Sequence, residues 1–159
     1  HPASAHFAVV LPVIALVLGI AYLIKPSELM SKISTRFMVF ASIFLAIAFF
    51  TGKDDGAEVY SLLSSEAKRL LLQHKDLGFY LVIAMPFAAA IKFYGCMKEN
   101  LKAEIFSIFL VTIIVGGVLY QGKMGGDLTY TYGANVTNHS DGMDCLEEEA
   151  EEAEDEEEE

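Results

Sequence analysis

The sequence predicts an all-α fold: an antiparallel four-helix transmembrane bundle with an amphipathic outer-side helix and a disordered acidic C-terminal tail. Three observations carry that expectation. Hydrophobic residues make up 53% of the 159-residue chain, above the roughly 45–50% apolar content of soluble domains. They are gathered into four runs, at residues 7–24, 37–52, 77–97 and 105–122, interrupted by a single charged residue, Lys92. The formal charge of −11 comes from residues 147–159, which hold 11 acidic side chains in 13. The rest of the chain is neutral, with no basic face for nucleic acid.

The first run has 18 residues, enough at ~1.5 Å rise per residue to cross most of a ~30 Å hydrocarbon layer. It lacks the basic leader and small-residue cleavage site of a signal peptide, so it reads as a retained helix. Pro12 within it, and Pro86 within the third run, are expected to kink or locally open their helices. A soluble four-helix bundle would need a charged face on each helix, and these runs have none.

Topology follows from the short connections. Residues 25–36 carry Lys25, Lys32 and Arg36, and residues 92–104 carry Lys92, Lys98 and Lys102. Both are predicted cytoplasmic, which places both termini on the periplasmic side of a bacterial inner membrane. Arg36, Lys53 and Lys92 flank or enter the shorter runs and are expected to snorkel toward the headgroups.

After the second run, the stretch Thr51-Gly52-Lys53-Asp54-Asp55-Gly56 has the chemistry of a turn, with Asp54 and Asp55 as turn or cap residues. Beyond it Val59, Leu62, Leu63, Ala67, Leu70, Leu71 and His74 recur at helical spacing. This predicts an amphipathic helix that lies on the surface or leads straight into the third span. Gly116 and Gly117 suit close helix approach in the fourth span. The membrane domain is expected over residues 1–136, with a polar and acidic tail over 137–159 that lacks the apolar residues of a core.

Several activities find no support. No serine–histidine–acid constellation is visible, and the Gly122–Gly126 stretch lacks the strand and Lys-Ser/Thr context of a phosphate-binding loop. Cys96 and Cys145 form neither a disulfide framework nor a covalent haem-attachment pair. The residues that pose a chemical question are histidines. His6 and His74 each open a membrane helix, and neutral imidazole is a common ligand for iron, copper and zinc. Set on facing helices, they would clamp a b-type haem between apolar side chains such as Phe7, Phe79 and Tyr80. His1 is a further candidate ligand, and Thr51, Gly52 and Gly126 would permit close approach of the macrocycle. The favoured reading is a membrane-embedded electron-transfer module without independent catalytic activity. Its partners would be the bilayer, other membrane redox subunits, or a basic soluble cytochrome drawn to the acidic tail. The alternatives are a cofactor-free accessory subunit of a larger membrane complex and a periplasmic copper- or zinc-handling protein.

The order of motifs adds a resemblance. His1, Pro2, His6 and Phe7 open the first helix, Thr51 and Gly52 follow the second, and His74 opens the third. A segment with Gly125, Gly126, Leu128, Tyr130, Tyr132 and Gly133 follows the fourth. Together, over about residues 2–136, these resemble a family of bacterial four-helix inner-membrane proteins known as domain of unknown function 2231. The resemblance implies four transmembrane helices and a membrane location, and some relatives look like redox-associated modules. The acidic tail departs from the family pattern.

Overall fold

A computed structural model describes residues 2–134. The chain forms four helices there: α1 (Pro2–Ile24), α2 (Glu28–Val59), α3 (Ser65–Lys98) and α4 (Leu101–Tyr130), with a single 3-10 turn at Tyr60–Leu62. The short connections force antiparallel neighbours. Each helix packs on the two beside it, and α1 against α4 closes the ring. His1 and the acidic tail lie outside the described residues.

Side-chain chemistry sets each helix start. Ser27 and Ser64 accept hydrogen bonds from the Met30 and Ala67 amides, at 3.2 Å each, and Asn100 accepts one from the Ala103 amide at 3.3 Å. Each satisfies an amide that the first helical turn leaves without a partner. Glu99 closes α3 in the left-handed region, with φ 51°.

The core is built from small and flexible residues. Ala15, Met38, Ala41, Met85, Ala88 and Val111 are fully buried where the helices meet. The large apolar side chains point outward instead: Phe87, Phe109 and Ile113 are about 60% exposed. A water-soluble bundle would do the reverse. Lipid tails are as apolar as these side chains, so small residues at the contacts and bulky ones facing out is the arrangement a bilayer selects. All four helices are long and apolar enough to cross a membrane.

Three helices overshoot. With 32, 34 and 30 residues, α2, α3 and α4 are roughly 45–51 Å long against a ~30 Å hydrocarbon layer. The end of α2, the start of α3 and the end of α4 therefore project beyond the apolar runs, at the amino-terminal end of the bundle. Leu63, Ala67, Leu128 and Ala134 form a small second core that ties these extensions together.

Two local expectations change. The Thr51–Gly56 stretch is not a turn but part of α2. Thr51 Oγ1 donates to the Ile47 carbonyl at 2.9 Å within the helix. Gly56 lets Leu71 of α3 approach, since a Cβ there would lie 3.4 Å from its Cδ1. Gly56 serves helix contact, and the chain reverses only at residues 60–64. The amphipathic segment does lead straight into the third span, as the continuous first part of α3, but His74 thereby lies well inside a helix rather than opening one. The Gly/Tyr segment after the fourth run is likewise helical to Tyr130.

Candidate functional site

A cavity of about 1030 Å³ occupies the amino-terminal end of the bundle, between the overshooting helices. That matches the upper end of the ~300–1,000 Å³ range of ligand and cofactor sites. Its walls follow from helical periodicity. On α4 the lining residues Val118, Gln121, Gly122, Gly125, Gly126 and Thr129 form one stripe, at the three- and four-residue spacing of a single helix face. On α3 the corresponding stripe is Leu71, His74, Lys75, Gly78, Leu81 and Val82. Ala5, Ala8 and Val9 of α1 and Leu45, Ala48, Phe49 and Gly52 of α2 complete an apolar chamber. Six lining positions, 52, 56, 78, 122, 125 and 126, are glycine. At Gly122 and Gly126 a Cβ would meet nothing within 4 Å.

His74 is the titratable imidazole on this wall. Its Nε2 lies 3.4 Å from the Gln121 amide nitrogen. Its Nδ1 is buried and has no hydrogen-bond partner among the described residues, and the same holds for Gln121 Oε1. Buried polar atoms are nearly always partnered, so the two orphans single out the His74–Gln121 contact among the polar groups of this end of the bundle. Lys53 and Lys75, both exposed, stand at the rim.

The other expected residues fall in different places. His6 is on the exposed flank of α1, while its neighbours Ala5, Ala8 and Val9 face the cavity. The fold therefore does not set His6 opposite His74. Gly52 and Gly126 line the chamber, but Gly126 opens space rather than bringing helices together. Thr51 turns toward α1, its hydroxyl 3.4 Å from that of Ser4. Among the described residues no three His, Cys, Asp or Glu side chains converge as a metal-ion site.

A second polar centre lies at the opposite end. Lys92 does not snorkel: it is fully buried and paired with Glu104. Ser31 donates to the same carboxylate at 2.8 Å, and the Lys92 ammonium sits 4.4 Å from the centroid of the Tyr22 ring. Residues from all four helices thus meet at one charge pair. Its sequence signal was the lone cation within an apolar run; its partner lay just outside the next run and looked like an ordinary helix-entry carboxylate. Gln121 was overlooked because an amide at the end of an apolar run resembles an interfacial residue.

No curated protein and no solved structure matches the chain. A family profile described as a predicted membrane protein, DUF2231, matches residues 1–138. That match spans most of the sequence and agrees with the four membrane-length helices, so the chain belongs to that membrane-protein family.

Proposed function

We propose that the protein is a b-type haem-binding electron-transfer module of a bacterial inner membrane, with the haem in the amino-terminal cavity and His74 as an iron ligand. The observation that carries this reading is His74 itself, an imidazole in the wall of a cofactor-sized, largely apolar chamber. The residues present fit the group. Glycines clear the space a macrocycle needs, Leu45, Phe49, Leu81 and Val118 offer apolar faces, and Lys53 and Lys75 at the rim suit two carboxylates. Bound haem would supply one-electron chemistry. The chain's own residues hold the imidazole, exclude water from the chamber and keep the carboxylate groups at the rim.

The basic short connections support a location for this end on the periplasmic side. There the acidic residues 147–159 would attract a basic soluble redox partner.

The test is the visible spectrum of detergent-purified protein, expressed with haem available, for the wild type and the His74→Ala and His6→Ala variants. A Soret band is expected for the wild type, lost in His74→Ala and kept in His6→Ala. A featureless wild-type spectrum with a blank metal analysis would overturn the proposal.

A further inference from the structure

The two ends of the bundle differ in charge. Where α1 hands over to α2 and α3 to α4, five exposed cations, Lys25, Lys32, Arg36, Lys98 and Lys102, stand against two exposed carboxylates, Glu28 and Glu99. Glu28 pairs with Lys32 one turn along α2. That leaves Lys25, Arg36, Lys98 and Lys102 without an ion-pair partner among the described residues. Lys25 follows α1, Arg36 is in α2, Lys98 ends α3 and Lys102 is in the first turn of α4, so each helix supplies one. The opposite end carries six acidic and five basic side chains over residues 53–76 and 123–127. The cations also stand beside bulky apolar side chains: Ile24, Met97 and Leu101, the neighbours of Lys25, Lys98 and Lys102, are 80%, 64% and 49% exposed. Positive groups set over apolar ones are complementary to a molecule with a negative head and an apolar tail.

We propose that this end of the bundle is a binding surface for anionic phospholipid: Lys25, Arg36, Lys98 and Lys102 hold the headgroup phosphates, and the apolar side chains beside them lie along the acyl chains. The inference goes beyond the haem reading and does not depend on it, since the chamber is at the other end. Cations next to a membrane span are drawn to anionic headgroups, and long Lys and Arg stems let the charge reach them while the stem stays against apolar surface. Arg36 lies two turns inside α2, where an outward-reaching guanidinium offers a phosphate two parallel hydrogen bonds. The connections at residues 25–27 and 99–100 are short, so the cations are carried by helix ends and no long loop has to be ordered when lipid binds. A zwitterionic lipid offers the same tail, but its ammonium offsets its phosphate. The discrimination therefore lies in head charge.

The experiment titrates the protein, purified in a neutral detergent, with phosphatidylglycerol and with phosphatidylcholine of the same acyl chains, and counts bound lipids by native mass spectrometry. Phosphatidylglycerol is expected to bind in a saturable number, more tightly than phosphatidylcholine, and to be weakened by added salt. Lys25→Gln with Lys102→Gln, and separately Arg36→Gln with Lys98→Gln, should weaken phosphatidylglycerol binding by about 5-fold for each charge removed and leave phosphatidylcholine binding unchanged. Arg69→Gln with Lys123→Gln removes two exposed cations from the opposite end and should change neither. All the substituted side chains are exposed, so the lipid-free melting temperature should stay that of the wild type, which separates lost binding from lost folding. Equal binding of the two lipids by the wild type overturns the inference. So does an equal loss in all three double variants, which would make net charge the cause and not this surface. Displacement of phosphatidylglycerol by equimolar inorganic phosphate would show a phosphate site with no need of the tail, and would overturn it too.

Discussion

Lys92 and Glu104 form an ion pair in which neither side chain reaches solvent, although they lie on different helices and belong to a protein whose surroundings are lipid. The pair ties the end of α3 to the start of α4, Ser31 adds α2 and Tyr22 adds α1. Charges in such a place are expensive to desolvate, and a pair of them is a weak source of stability compared with apolar packing. Its value lies in register. Only one alignment of the four helices brings an ammonium, a carboxylate, a hydroxyl and an aromatic face together.

The consequence is an asymmetry between single and double substitution. Lys92→Met leaves Glu104 buried with its hydroxyl partner alone and should cost about 3–5 kcal/mol. Lys92→Met with Glu104→Leu removes both charges and should recover most of that loss. Thermal unfolding in detergent reads the difference. Equal destabilisation by the single and double variants would show that packing volume, rather than the unpaired charge, sets the cost.

Glycine positions that look alike in sequence should separate. At Gly95 a Cβ would lie 2.7 Å from Glu104 Cγ and 3.0 Å from the Glu104 backbone nitrogen. Gly95→Ala must therefore push α3 and α4 apart and should cost about 1–3 kcal/mol. At Gly116 nothing lies within 4 Å, so Gly116→Ala gains helix propensity, up to ~1 kcal/mol, without a clash. At its neighbour Gly117 a Cβ would come 2.9 Å from Leu81 Cδ2, a side-chain end that can turn aside where backbone cannot, so Gly117→Ala should fall between the other two. Melting temperatures of the three alanine variants, measured side by side, check the order.

These contrasts mark what the sequence could and could not convey. Four apolar runs are a one-dimensional property, and the four helices follow from them directly. Helix ends are harder, because Gly56 is a turn residue by composition and a contact residue by location. Only the position of Leu71 on α3 decides between the two roles. The site divides in the same way. His74 stood out as a histidine on an apolar stripe, and it does line the cavity. That His6 faces away, and that Gln121 rather than a second histidine meets the ring, depends on the rotation of α1 and α4 about their axes. No local pattern encodes that rotation.

The orientation of the bundle can be tested with thiol labels. In a background of Cys96→Ser and Cys145→Ser, Pro26→Cys and Asp54→Cys each place a thiol at an exposed position near opposite ends. A membrane-impermeant reagent added to spheroplasts should label the Asp54→Cys protein and spare the Pro26→Cys protein until the membrane is opened. The reverse pattern would place the cavity on the cytoplasmic side and remove the acidic tail as an outer-side lure.

The cavity itself offers a test that separates binding from folding. Gly122 and Gly126 line the chamber, and a Cβ at either would meet nothing within 4 Å. Leucine at these positions has room to extend into the space that a cofactor would occupy, and it is the better helix former by up to ~1 kcal/mol per site. Gly122→Leu with Gly126→Leu should therefore keep or raise the melting temperature of cofactor-free protein while haem content falls several-fold. A cavity that only reflects loose packing would show the first effect alone, because filling it would displace nothing. Haem bound equally well by the filled variant would place the group elsewhere on the protein, and His74 would lose its role as ligand.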